Sequence, residues 1–256
     1  MLEFRSRMRD GSVRPTQHIS SPRTNQKLRT TNQELNPLPG PMKTLLSILT
    51  LTLTLAVSSS AKEGIVQCGN LIYGGGKTST CFSDEFLSSV QKETSIATDR
   101  RFRPVKLAGD ELFEFPFVVM TGEGDFSLTP KERENLKRFL TNGGFLLASA
   151  GCSNAEWNAS FRREMKTIFG KEVFNKLEMK HPVFNTVFPV NDLGLKKSDG
   201  HSALEGFEHE GRLVVVYSPD GLNNTANAPG CCCCGGNEIA NSLQLNVNIL
   251  AYALLH

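Results

Sequence analysis

Hydrophobic positions between residues 64 and 256 follow two patterns. Short runs that are apolar at consecutive positions are typical of strands with both faces covered, as in a parallel sheet. Between them, apolar residues recur every three or four positions, which predicts helices. The predicted strands are residues 65–73, 103–107, 117–120, 144–150 and 213–217. Their alternation with helices predicts an α/β three-layer sandwich around a mostly parallel, doubly wound sheet.

One predicted helix has clear signals at both ends. Thr129 suits the N-cap, Pro130 the first turn and Glu132 the acidic position of a capping box, and Gly143 follows the last turn. A second helix is predicted over residues 84–98, capped by Ser83. Two apolar stripes at helical spacing predict helices that pack on the sheet. The stripes are Trp157, Phe161, Met165 and Ile168, and Ile239, Leu243, Val247, Leu250 and Leu254.

Ligands of open α/β sheets bind outside the carboxyl ends of the strands. The loops predicted to meet at this edge are residues 74–81, 121–126, 151–154 and 218–238. Glycines let backbone approach a ligand closely, and carboxylates can bind metals or transfer protons, although GEGD at 122–125 is also ordinary turn chemistry. The candidate ligand-binding residues are Gly74, Gly75, Gly76, Glu123, Asp125 and Asp220.

Six of the seven cysteines lie in these loops, whereas Cys68 lies in a predicted strand and is expected to be a core residue. The six are Cys81, Cys152, Cys231, Cys232, Cys233 and Cys234. We therefore expect the run of four to lie near Cys81 and Cys152. Disulfides could fasten the long loop, which has no core of its own.

Two other roles for these thiols stay open. Thiolates from separate loops could bind zinc or copper, but neighbouring side chains diverge, so at most two of the four consecutive cysteines should reach one ion. Alternatively, Cys152 could be a catalytic nucleophile, because it follows a buried strand and precedes a helix N-terminus, which lowers a thiol pKa.

The first 61 residues differ from the rest. Residues 1–41 lack the apolar content of a core and are expected to be a disordered or mis-assigned upstream extension. Residues 42–61 have the layout of a secretory signal peptide: a basic start, a short apolar stretch, then small residues ending at Ala61. This predicts one domain over residues 62–256, exported to the periplasm or secreted, with no stable membrane span after cleavage.

Cleavage after Ala61 would also change the charge. It would remove eight of the 28 Lys and Arg and three of the 26 Asp and Glu, so the net charge would fall from +2 to −3. A negative domain gives no electrostatic reason to expect nucleic acid as a partner. The expected partner is a small molecule or a component of the cell envelope.

Eight short motifs occur in the order found in a bacterial family, the domain of unknown function 4159, and the chain resembles that family over residues 64–256. The motifs are YGGG at 73–76, TGEGDF at 121–126, NGGFLLASAGCS at 142–153, FRREM at 161–165, HPVF at 181–184, LEGF at 204–207, GRLVVVYSP at 211–219 and NVNILAYAL at 246–254. The resemblance implies the flavodoxin-like fold of class I glutamine amidotransferases. It implies no assigned reaction. The family often has histidine where this chain has Glu123.

Amidotransferase chemistry does not carry over with the fold. Those enzymes place their cysteine in Gly-x-Cys-x-Gly, whereas Ala150 and Asn154 stand at the outer positions around Cys152. Their His-x-Glu pair is absent, because no glutamate follows His181, His201 or His209 by two residues. We therefore expect an exported domain that binds a ligand or metal through its cysteine-rich edge, without amidotransferase activity. The alternative is a hydrolase that uses Cys152, or a metal-activated water with Glu123 or Asp125 as base.

Overall fold

A computed structural model describes residues 64–78, 81–228 and 236–256. The predicted extension, the predicted signal peptide and Cys231–Cys234 lie outside the described residues. The described strands are β1 Cys68–Ile72, β2 Arg103–Lys106, β3 Phe117–Gly122, β4 Phe145–Ala150, β5 Asn175–Lys176, β6 Glu205–His209 and β7 Arg212–Ser218. The α-helices are α1 Glu85–Glu93, α2 Pro130–Thr141, α3 Ala155–Phe169 and α4 Ser242–Leu255.

The described strands form one mixed sheet in the order β2-β1-β3-β4-β7-β6-β5. The β1–β2, β1–β3, β3–β4 and β4–β7 pairs are parallel, and only β5 and β6 run antiparallel to their neighbours. The mostly parallel α/β sheet predicted from the sequence is thus confirmed. Its parallel strands end together at one edge, which we call the carboxyl edge.

Two hydrophobic clusters cover the two sides of the sheet. Leu146 and Ala148 of β4 pack in a cluster with side chains of α2 and α3, whereas Phe145 and Leu147 pack in a second cluster with side chains of α1 and α4. Alternate residues of one strand therefore face different cores, which explains why β4 is apolar at nearly every position. No helix in the described residues is long and apolar enough to cross a bilayer.

The predicted capping box of α2 is present, and its glutamate also binds the loop after β1. Thr129 Oγ1 accepts from the backbone N–H of Glu132 at 3.2 Å, and Glu132 Oε2 accepts from the backbone N–H of Thr129 at 2.7 Å. The other carboxylate oxygen of Glu132 accepts from the backbone N–H of Gly74 at 2.9 Å. One buried glutamate therefore ties the loop after β1 to the start of α2.

Helix α1 and two strands differ from the prediction. Helix α1 ends at Glu93, five residues before the predicted end, because the following residues return to the sheet: Thr98 is buried, bridges to Val66 and donates its hydroxyl to Leu87 O at 2.7 Å. The short strand β5 and its neighbour β6 were not predicted. Strand β6 forms a hairpin with β7 through Glu210 and Gly211, both at positive φ.

Candidate functional site

A buried amide fastens the long loop that follows β7 to the carboxyl edge. Asn223 Oδ1 accepts from Thr121 Oγ1 at 3.2 Å, at the end of β3, and from Ser149 Oγ at 3.5 Å, near the end of β4. The backbone oxygen of Asn223 accepts from Ser83 N at 2.8 Å, beside Cys81. This loop therefore contacts the ends of β3 and β4 and the segment between β1 and α1.

Asp220 makes a second connection. Its Oδ1 accepts from Ser153 Oγ at 2.8 Å and its Oδ2 accepts from Ser202 Oγ at 2.6 Å. Ser153 Oγ also lies 3.0 Å from the backbone oxygen of Asn237, near the far end of the same loop. The predicted ligand-binding residue Asp220 thus has both oxygens engaged by hydroxyl groups of the protein.

Cys152 lies in a tight turn between β4 and α3. Its φ is 51° and that of Ser153 is 58°, so two consecutive non-glycine residues adopt the left-handed conformation. The turn is held by Asn154, whose Oδ1 accepts from Trp157 N at 2.8 Å as the cap of α3 and from Gly124 N at 3.0 Å. Such strand-to-helix turns present a side chain at the carboxyl edge.

A cavity of about 250 Å³ opens beside Cys152, and we call it the Cys152 cavity. Its described lining residues are Cys152, Lys196, Lys197, Thr225, Ala226, Ala228, Gly236 and Glu238. Ala228 and Gly236 are the described residues on either side of residues 229–235. Both ends of the cysteine-containing segment therefore border the cavity.

Gly236 makes the closest approach to the turn at Cys152. A Cβ atom built on Gly236 would lie 1.6 Å from the backbone oxygen of Cys152 and 2.6 Å from its Cβ. Only a residue without a side chain allows the two backbones to lie this close. The chain that leaves the cysteine run is therefore packed directly on Cys152.

Glu238 is a buried carboxylate in the cavity wall. Its Oε2 lies 3.0 Å from Lys196 Nζ, and its two oxygens accept from the backbone N–H of Thr225 at 3.1 and 3.3 Å. The residue is 5% exposed. Burying a charge is costly unless it is paired and hydrogen-bonded, so Glu238 is positioned as part of the wall.

The other predicted ligand-binding residues lie in the loops after β1 and β3. Gly74, Gly75 and Gly76 all have positive φ and make a turn after β1. Lys77 Nζ, just beyond this turn, donates to the backbone oxygens of Glu123 and Asp125. The glycine turn and the GEGD loop are therefore joined to each other, and none of their residues is among the described residues that line the Cys152 cavity.

The carboxylate of Asp125 also accepts hydrogen bonds from side chains of the protein. Its Oδ1 accepts from Ser160 Oγ at 2.6 Å and from Arg163 Nη2 at 3.1 Å. These hydrogen bonds, first from Ser160 and then from Arg163, lower the pKa of the Asp125 carboxyl group. Asp125 is therefore held as an anion that anchors α3.

The described cysteines differ in state. Cys68 is a free thiol in the core, whereas Cys81 and Cys152 are not free thiols. Within the described residues no three His, Cys, Asp or Glu side chains come together as metal ligands, so a metal site at this edge would need the thiolates of Cys231–Cys234.

Burial raises the pKa of the Cys68 thiol from its ordinary value of 9.0 to about 12. The neutral thiol is therefore favoured in the folded state, and its contribution to stability is complete below about pH 9 and lost as the pH rises to about 12. Each pKa unit corresponds to about 1.4 kcal/mol, so we expect a loss of a few kcal/mol over this range. Urea unfolding at pH 8, 10 and 11.5 measures this loss in the free energy of unfolding.

A Cys68→Ala variant is the control for this pH dependence. It removes the thiol, so its free energy of unfolding should fall less between pH 8 and pH 11.5 than that of the parent protein. Tyr73 and Tyr217, whose pKa values burial also raises, leave a residual slope in both proteins. Equal pH dependence in the two proteins would contradict this assignment.

Sequence reasoning missed Lys196, Lys197, Thr225 and Glu238 as lining residues. Lys196 and Lys197 lie between β5 and β6, in a segment with no predicted element. They reach the carboxyl edge because Lys196 N donates to Glu238 O at 2.9 Å and Lys197 N donates to Asn237 Oδ1 at 2.9 Å. The sequence carried no spacing signal for these long-range contacts.

The fold and this edge define a mixed α/β domain with a small cavity beside Cys152. The family model of a domain of unknown function, DUF4159, matches residues 68–254. The chain therefore belongs to this family, which confirms the family predicted from the ordered motifs. None of the curated proteins compared with the chain matches it.

Proposed function

We propose that the chain is an exported domain of amidotransferase-like three-layer fold that binds a ligand in the Cys152 cavity and has no glutaminase activity. We further propose that disulfides from Cys81 and Cys152 to the Cys231–Cys234 run fasten the loop over the cavity. The observation that carries the proposal is the packing of Gly236 on Cys152, with Ala228 and Gly236 both in the cavity wall.

Chain geometry supports this pairing. Gly236, which packs on Cys152, is two residues from Cys234 in the sequence, and two residues span at most about 7 Å. We therefore propose that Cys152 pairs with the end of the run. Cys81 borders the same loop, because the neighbouring Ser83 donates to Asn223. Neither Cys81 nor Cys152 is a free thiol, as the proposal requires.

Binding is favoured over thiol catalysis for two reasons. A nucleophilic cysteine must be a free thiolate, and a catalytic base must lie within hydrogen-bond reach of it. Cys152 is not a free thiol, and no histidine is among the described residues that line the cavity. Export, the disulfides and the ligand are separate parts of the proposal, and experiments can test each of them.

One observation favours a second candidate, a hydrolase with Cys152 as nucleophile. The positive φ of Cys152, in a turn between a buried strand and a helix, is the backbone arrangement of a nucleophile elbow. In that case the thiol would have to be released by reduction. Reduced protein would then react with a thiol-directed acylating probe at Cys152 before any other cysteine.

The test is a peptide map of protein that a bacterium has exported from the full reading frame. We expect an N-terminus at Lys62, and a peptide that contains Cys152 crosslinked to one from the 229–238 region. Metal analysis and free-thiol counting are made on the same sample. The peptide map should change on reduction, whereas a chelator should leave both fold and composition unchanged.

Each other outcome excludes a part of the proposal. Retention in the cytoplasm would exclude export. About one metal ion per chain, removable by chelator, with Cys81 and Cys152 uncrosslinked would replace the disulfides by a thiolate site. Turnover by reduced protein that Cys152→Ser abolishes without loss of fold would favour the hydrolase.

A further inference from the structure

The charges that line the Cys152 cavity are unequal. Two basic residues, Lys196 and Lys197, and one acidic residue, Glu238, belong to the described wall. This positive balance stands within a domain, residues 62–256, whose sequence carries more acidic than basic residues. The cavity is therefore electrostatically distinct from the rest of the domain.

The carboxylate does not cancel both cations. Glu238 is engaged by Lys196 and by the backbone N–H of Thr225, and it is 5% exposed. Lys197 forms no salt bridge with any Asp or Glu of the described residues, and its backbone is fixed by the hydrogen bond from its N–H to Asn237 Oδ1. Lys197 is thus the basic lining residue without an ion pair among the described residues.

Another carboxylate at the carboxyl edge belongs to Asp220, which is not among the described lining residues. Its two oxygens accept hydrogen bonds from Ser153 and Ser202. The hydrogen-bonding capacity of Asp220 is therefore directed to the protein.

We propose that the Cys152 cavity takes a small ligand through an anionic group, a carboxylate or a phosphate, that binds Lys197 with help from Lys196. This inference rests on the proposed binding function and specifies its ligand class. A volume of about 250 Å³ is below the roughly 300–1,000 Å³ of drug-sized sites, so the ligand is small. Thr225, at the cavity wall, adds a hydroxyl group for hydrogen bonding.

The test follows backbone amide chemical shifts of the exported, ¹⁵N-labelled protein during titration with three probes: inorganic phosphate, citrate and neutral glucose. We expect phosphate or citrate to shift the amides of Ala226, Ala228 and Gly236 in a saturable way, and to shift them less at high salt. Lys197→Gln should weaken this binding roughly tenfold, because a charge-assisted hydrogen bond is lost. Lys137→Gln removes the same charge from an exposed site on α2 and should leave binding unchanged.

The outcomes separate this inference from the proposed function. Glucose binding at the cavity without phosphate or citrate binding would overturn the anion preference and leave a binding domain. Equal weakening by Lys197→Gln and Lys137→Gln would overturn it too, because the anion would then respond only to net charge. Absence of any chemical-shift change at the cavity amides with all three probes would overturn the inference. The peptide map tests independently whether disulfides fasten the loop.

Discussion

Replacement of Arg133 by methionine is expected to lower the free energy of unfolding by about 1–3 kcal/mol, the usual cost of leaving a buried acceptor without its hydrogen-bond donor. Arg133 on α2 donates through Nε to Glu164 Oε2 at 2.7 Å and through Nη2 to Oε1 at 3.2 Å. The Glu164 side chain, on α3, is 2% exposed. Arg163 lies 3.9 Å away through its Nε and is too distant to replace the lost hydrogen bonds.

Urea unfolding of three further variants shows whether this loss comes from the buried charge. Arg103→Gln breaks an exposed pair with Asp99 and should cost at most about 0.5 kcal/mol. Arg133→Met combined with Glu164→Leu removes both charges and should recover most of the stability. Glu164→Gln in the Arg133→Met background should recover part of it. A loss below about 1 kcal/mol for Arg133→Met would show that water reaches Glu164.

The sheet could be predicted because its strands are buried on both faces, which leaves a run of consecutive apolar residues in the sequence. Leu146, Leu147 and Ala148 are consecutive and apolar because neighbouring side chains face different hydrophobic clusters. Helix α2 could be predicted with its start because a capping box is local, and Thr129 and Glu132 are close in sequence. Patterns of this kind depend on neighbours within one element.

Elements that depend on distant neighbours were harder to predict. Strand β6 exists because it pairs with β7, and of its five residues only Phe207 is a large apolar residue. Helix α1 ends early because Thr98 is drawn to Val66 and Leu87. In both cases tertiary contacts override the local pattern.

The candidate site was predicted in location but not in composition. Cys152 and Asp220 follow β4 and β7 and come together through Ser153, as expected of neighbouring parallel strands. The glycine turn at Gly74 and the loop with Glu123 follow β1 and β3, and Lys77 joins them to each other. The predicted residues therefore belong to two pairs of neighbouring strands, β4 with β7 and β1 with β3. The spacing of these residues in the sequence does not indicate which strands are neighbours.

Gly236→Ala is expected to separate the cysteine-containing segment from Cys152. The new Cβ would lie 1.6 Å from a backbone oxygen, which cannot be relieved by rotating a side chain, so the segment must move. We expect a loss of about 1–3 kcal/mol, the usual cost of overpacking, and at least a tenfold weakening of ligand binding in the cavity. Thermal unfolding and the phosphate titration measure the two effects.

Gly64→Ala is the matched control, because a Cβ there meets no atom within 4 Å and the backbone is not in the left-handed region. It should leave ligand binding unchanged and stability unchanged or raised by up to about 1 kcal/mol, because alanine restricts the unfolded chain. If Gly236→Ala behaves like Gly64→Ala, the segment after the cysteine run does not depend on contact with Cys152. This result would contradict the proposal that the loop is fastened over the cavity, because that proposal depends on the contact between Gly236 and Cys152.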